Sequence, residues 1–88
     1  MASYRIEFKR SAERDLRKLY PARIPDLLKE IEALSENPFP RRSLKLSGAE
    51  RTYRLRVGTY RVIYEVDPGS ETLTIHYIRH RKEAYRQL

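Results

Sequence analysis

Arg54, Arg56 and Arg61 interrupt an otherwise largely apolar stretch, "YRLRVGTYRVIYEV" (53–66). Arginines on alternate residues of a strand fall on one face of a sheet. Their planar forks match phosphate oxygens two at a time and stay protonated under physiological conditions. Residues of this type at this spacing suit an anion, and they suit proton abstraction badly. A second group follows in "IRHRKEAY" (78–85), which supplies Arg79, His80, Arg81 and Tyr85 just after the last apolar run. An unperturbed histidine such as His80 titrates near neutrality. A tyrosine such as Tyr85 has a reference pKa of about 10, and neighbouring arginines lower it by favouring the phenolate. The plainer readings are an idle, exposed His80 and a Tyr85 that anchors the end of the chain.

The turn between the arginines sets their geometry. Gly58-Thr59 reads as a two-residue hairpin turn of type II′, with glycine in its first position. Val57 then opposes Tyr60, Arg56 opposes Arg61, Leu55 opposes Val62, Arg54 opposes Ile63 and Tyr53 opposes Tyr64. Tyr53, Leu55, Val57, Tyr60, Val62 and Tyr64 face a core, while Arg54, Arg56 and Arg61 face away from it. Replacing Arg61 is therefore expected to spare the fold. A four-residue loop at 67–70, "DPGS", carries the pattern into "TLTIHYI" (72–78). That register puts Leu73, Ile75 and Tyr77 on the core face and His76 opposite Arg61. Like charges directly opposite on a sheet cost roughly 0.2–1 kcal/mol, which a bound phosphate would offset. A solvated charged face, with Glu7 or Glu65 pairing the arginines, accounts for the same residues.

The rest of the chain reads as the scaffold. Tyr4 to Phe8 alternates apolar and charged residues, as a half-buried strand does. Ser11 stands at an N-cap position, followed by Ala12, Leu16, Leu19 and Tyr20 at helical spacing, and Pro21 ends that helix. A second helix starts near Ile24-Pro25, with Ile24, Leu27, Leu28, Ile31 and Leu34 as its stripe. "NPFP" (37–40) stops it. Residues 41–52 read as a loop holding Leu44 and Leu46, and "RHRKEAYRQL" as a polar last turn or arm. The order is β-α-α-β-β-β. This predicts an α+β fold with two N-terminal helices on a mostly antiparallel sheet, as one domain over 1–88.

Composition narrows the chemistry. The 88 residues include 19 basic and 12 acidic side chains, for a net charge of +7. That excess favours a polyanionic partner. The absence of cysteine excludes disulfides and thiolate metal sites and fits a reducing cytosol. Two histidines argue against zinc, three glycines against a glycine-rich phosphate loop, and the scatter of Ser, His and Asp against a catalytic triad. No cofactor is expected. No apolar run is long enough for a signal peptide or a membrane span, so a soluble, cytoplasmic protein with no membrane partner is expected.

"YRLRVGTYRVIYEV" followed by "IHYIRHRKEAY" resembles the RelE/ParE superfamily of toxins from toxin–antitoxin modules. "YRIEFKRSAERDLRKL", "ENP" and "LKLSG" resemble it too, so the likeness spans nearly the whole chain. It implies a fold related to small microbial ribonucleases. In the RelE branch it implies an mRNA interferase that enters the ribosomal A site. There the ribose 2′-hydroxyl attacks the adjacent phosphate, leaving a 2′,3′-cyclic phosphate and a 5′-hydroxyl, with no metal needed. The family's functional positions fall on Arg54 and Arg56, on Arg61, and on Arg81 and Tyr85, with Arg79 competing for the late arginine role. The best-known RelE pattern has lysines where this chain has Arg54 and Arg56. The general base then falls to Tyr85 or His80, with Arg56 and Arg61 on the non-bridging oxygens and Arg81 on the leaving oxygen. Arg10, Arg14, Arg17, Lys18, Arg41, Arg42 and Lys45 are further candidates for ribosomal RNA contacts. The implied partners are a RelB-like antitoxin, forming a toxin–antitoxin heteromer, and the 70S ribosome with its mRNA. The alternatives are a ParE-like inhibitor of DNA gyrase and a non-catalytic member that only binds antitoxin.

Overall fold

Gly58 has φ +59° and Thr59 is not among the residues of positive φ, the signature of a type II′ turn. The computed structural model describes residues 3–48 and 50–80. In it the turn joins β3 (Thr52–Val57) to β4 (Tyr60–Asp67). All five expected pairs form, from Val57 with Tyr60 to Tyr53 with Tyr64. β5 (Thr72–His80) returns antiparallel to β4.

The remaining elements are β1 (Arg5–Phe8), α1 (Arg10–Arg17), α2 (Ile24–Ala33) and β2 (Ser43–Lys45). They complete a five-stranded sheet of order β1-β5-β4-β3-β2. β1 runs parallel to β5, and every other pairing is antiparallel. The α+β class holds, with two helices on a mixed sheet. One sheet face, with Leu55, Val62, Tyr64, Val66, Leu73, Ile75 and Ile78, packs against Ala12, Leu27 and Ile31 from the helices and Leu34 at the end of α2. The Tyr64 hydroxyl donates to the carbonyl of Pro38 at 2.7 Å, which gives a buried phenol its partner. Among the described residues, no helix is long and apolar enough to cross a membrane.

Several local expectations need correction. Lys9, not Ser11, is the N-cap of α1, and it makes no side-chain cap bond. The Ser11 hydroxyl instead donates to the carbonyl of His76. Tyr20 does not complete the stripe of α1, since the chain has left the helix and the ring is 77% exposed. The stretch read as a loop contains β2, in which Leu44 pairs with Arg54 and is 57% exposed. Too short to show an alternating pattern, β2 is recruited by its neighbour β3.

The β4–β5 connection matters most. Asp67 stays in the strand, paired with Thr72, so the loop is 68–71. Its carboxylate accepts from the Gly69 N–H and the Ser70 hydroxyl, each at 3.0 Å, and the Ser70 bond leads in holding its pKa below the ordinary value. A β-bulge follows: Tyr64 pairs with Ile75 but Ile63 pairs with Tyr77, leaving His76 as the extra residue. One extra residue reverses the alternation of faces. Leu73 and Ile75 reach the core as expected, but Ile78 takes the core position expected of Tyr77. Arg79, not His76, stands opposite Arg61.

Candidate functional site

The bulge assembles a row of arginines. Arg56 pairs with Arg61 across β3 and β4, and Arg61 pairs with Arg79 across β4 and β5. Neighbouring strands lie about 4.8 Å apart, so three guanidinium side chains spring from three adjacent backbone positions. The next row along the strands runs Leu44, Arg54, Ile63, Tyr77. The face opposite the helices thus carries Arg54, Arg56, Arg61 and Arg79 around the buried Ile63.

These arginines are held in different ways. Arg61 is only 5% exposed, although it lies on the face away from the helices. One terminal nitrogen donates to the carbonyls of Gly58 at 3.1 Å and Tyr60 at 2.9 Å, which ties the side chain to its own hairpin. Its Nε is buried without a hydrogen-bond partner among the described residues. Burying a charge is costly unless it is paired, and carbonyls supply dipoles but no counter-charge. Arg56 is exposed and Arg54 half-buried. Arg79 is tied to α1: its Nε donates to Asp15 Oδ2 at 3.0 Å, and its guanidinium carbon lies 4.8 Å from the centre of the Tyr77 ring.

The glutamates that might have neutralised this face are engaged elsewhere. Glu65 lies 3.1 Å from His76 Nε2, and Glu7 lies 3.3 Å from Arg5. Arg42, a candidate phosphate contact, pairs with Glu30 at 2.7 Å. Arg41, Arg42, Ser43, Leu44, Arg54 and Arg56 line a shallow cleft of about 330 Å³ beside the row. His80 is half-buried, its ring meeting Tyr60 edge-on with centroids 5.9 Å apart. Arg81 and Tyr85 lie outside the described residues. Among the described residues, no three His, Cys, Asp or Glu side chains converge as a metal-ligand set.

Sequence reasoning thus located Arg54, Arg56 and Arg61 on one face but missed Asp15. That residue is 7% exposed and sits between Ala12 and Leu16 on the buried side of α1. A carboxylate inside a helix's apolar stripe was the available signal, because buried charges need partners.

Comparison with known proteins follows the same outline. Residues 6–85 match the family described as the ParE toxin of the type II toxin–antitoxin system parDE. The chain is 30% identical over 86 residues to RelE1 of Methanocaldococcus jannaschii, named as a candidate toxin, covering 94% of this chain and 96% of that one. It is similar in structure to a chain of the RelBE2 toxin–antitoxin complex of Mycobacterium tuberculosis, with a TM-score of 0.74 at 36% identity, over 91% of this chain and 100% of the other. A chain of the archaeal RelE–RelB complex of Pyrococcus horikoshii gives a TM-score of 0.79 at 30% identity, over 90% and 96%.

Proposed function

The chain belongs to the RelE/ParE family of type II toxins, and from that premise we propose that it is an endoribonuclease cutting mRNA in the ribosomal A site. The observation that carries the reading is Arg61: a buried guanidinium held by carbonyls, flanked by Arg56 and Arg79, on the sheet face away from the core. Such a group is a fixed donor waiting for an anion, and a scissile phosphate is the anion that the family's chemistry supplies.

In this mechanism Arg56 and Arg61 hold the non-bridging oxygens. They stabilise the extra negative charge as the 2′-hydroxyl attacks, and Arg61, held by its hairpin's carbonyls, needs little reorganisation in doing so. Arg54 extends the positive field along the strand. No arginine takes the 2′ proton, since each stays protonated. That role falls to Tyr85 or His80. Arg81 stabilises the departing 5′ oxygen in preference to Arg79, whose Nε is already committed to Asp15. No step needs a metal. Alignment of the 2′-hydroxyl with the leaving group supplies much of the rate, and the ribosome imposes it on the message.

The two solved structures compared above are toxin–antitoxin complexes, which supports a RelB-like partner for this chain. The match to the ParE description favours one other reading, inhibition of DNA gyrase. Primer extension on programmed ribosomes separates the two. A cut within the A-site codon, absent with naked mRNA and with Arg61→Ala or Arg81→Ala, is the expected result. Intact mRNA from folded wild-type protein, together with inhibition of gyrase supercoiling, would overturn it.

A further inference from the structure

We propose that Asp15 is a positioning residue of the arginine site, fixing Arg79 at the α1 edge of the row as a further phosphate contact. The proposal rests on the ribonuclease reading above.

Beyond the end of β1, the outer edge of β5 meets α1 instead of another strand. The Lys9 N–H donates to the carbonyl of Ile75 at 2.9 Å, and Ser11 donates to the carbonyl of His76. Asp15 Oδ2 accepts from the Ile78 N–H at 2.9 Å and from Arg79 Nε at 3.0 Å. Satisfying an edge N–H needs only a neutral acceptor, which serine, threonine or asparagine provides. A buried carboxylate costs far more than those residues unless it meets a cation. The second bond, to Arg79, is therefore the one that explains an acid at this position.

That bond also sets orientation. Arg79 is pinned at Nε by Asp15 and lies against the face of Tyr77. The register places its backbone opposite Arg61. A tie through Nε leaves the two terminal amino groups as its remaining donors. Those donors are held in place before a substrate arrives, which is the condition under which charge stabilisation is most effective. Lys18 and His80 line the same cleft as Asp15 and Arg79, a space of about 260 Å³ between α1 and the end of β5. Among the described residues, Asp15 supplies its one carboxylate.

The test is single-turnover cleavage on programmed ribosomes with Asp15→Asn, Arg79→Gln and the double variant, each shown to be folded by thermal melting. Asp15→Asn keeps an acceptor for Ile78 but loses the charge. Each single variant is expected to lower the rate at saturating ribosomes about tenfold or more, with half-saturation unchanged. The double variant is expected to be no slower than Arg79→Gln, because both changes break one linkage. Independent, additive losses, or a full rate in Asp15→Asn, would overturn the proposal while the ribonuclease reading stands. An inactive wild type would instead remove that reading and this proposal with it. Should Asp15→Asn fail to fold, Arg79→Lys decides. It keeps the charge but has no Nε–H, so a rate as low as that of Arg79→Gln supports the proposal and a full rate refutes it.

Discussion

Two adjacent rows cross the same three strands and follow opposite rules. Leu55, Val62 and Ile78 form one row, and Arg56, Arg61 and Arg79 form the next. The first faces the helices and is 0–2% exposed. The second faces away, and its middle member is nearly as buried at 5%. In the apolar row, burial is packing against α1 and α2. In the arginine row, it comes from the hairpin's own carbonyls and from neighbouring side chains. Similar burial at Val62 and Arg61 therefore reflects different work: the apolar row supplies stability, and under the ribonuclease reading the arginine row holds charge ready for a phosphate.

Substitutions in the two rows should separate those roles. The largest expected effect is Leu55→Ala, which loses about 2–5 kcal/mol of stability, as large-to-small core changes do. Cleavage per folded molecule should be preserved; chemical denaturation and an active-site-normalised rate check both halves. Next is Arg61→Ala, expected to lower the cleavage rate by about 10²–10³ while stability changes by only about 1 kcal/mol. Unfolding of that variant would show that the arginine row is structural after all.

Tyr64, on the core side, should give a purely structural pH effect. Burial pushes its phenol up to about 12. Between about pH 10, where an unfolded tyrosine loses its proton, and about 12, the folded form retains it, so stability declines through that window. Its contribution is complete below about pH 10 and gone above about 12. Alkaline unfolding followed by circular dichroism should be less steep in Tyr64→Phe. Arg56→Gln, at an exposed site, should slow cleavage about tenfold, with Arg56→Lys recovering part of the loss. Smallest of all, Leu44→Ser should change stability by no more than about 0.5 kcal/mol, since its side chain is already in water.

The hairpin was legible because one glycine determines its turn, and the turn determines the register. Both helices were legible from their apolar stripes, and Ile24-Pro25 marked the start of α2. The bulge at His76 was not. It sits where Ser11 and Asp15 reach across from α1 to the edge of β5, and no local pattern in "TLTIHYI" encodes a contact so distant in the chain. For the same reason the third arginine of the row was assigned to the tail. β2 escaped notice because three residues cannot establish a period. The alternative in which Glu7 or Glu65 neutralises the arginines is not what forms, since each pairs with a different neighbour.

The parallel pairing of β1 with β5 has a consequence for how the molecule is made. Arg5 lies beside Thr72 and Phe8 beside Ile75, so β1 has no partner strand until β5 has emerged. The β3–β4 hairpin can close at once on its short turn, whereas β1 must wait for every element between it and β5. Such distant closure slows folding. It also means that a nascent chain halted before β5 holds Arg56 and Arg61 without Arg79 or the groups beyond it. Under the ribonuclease reading, the arginine row is complete only once β5 has been made.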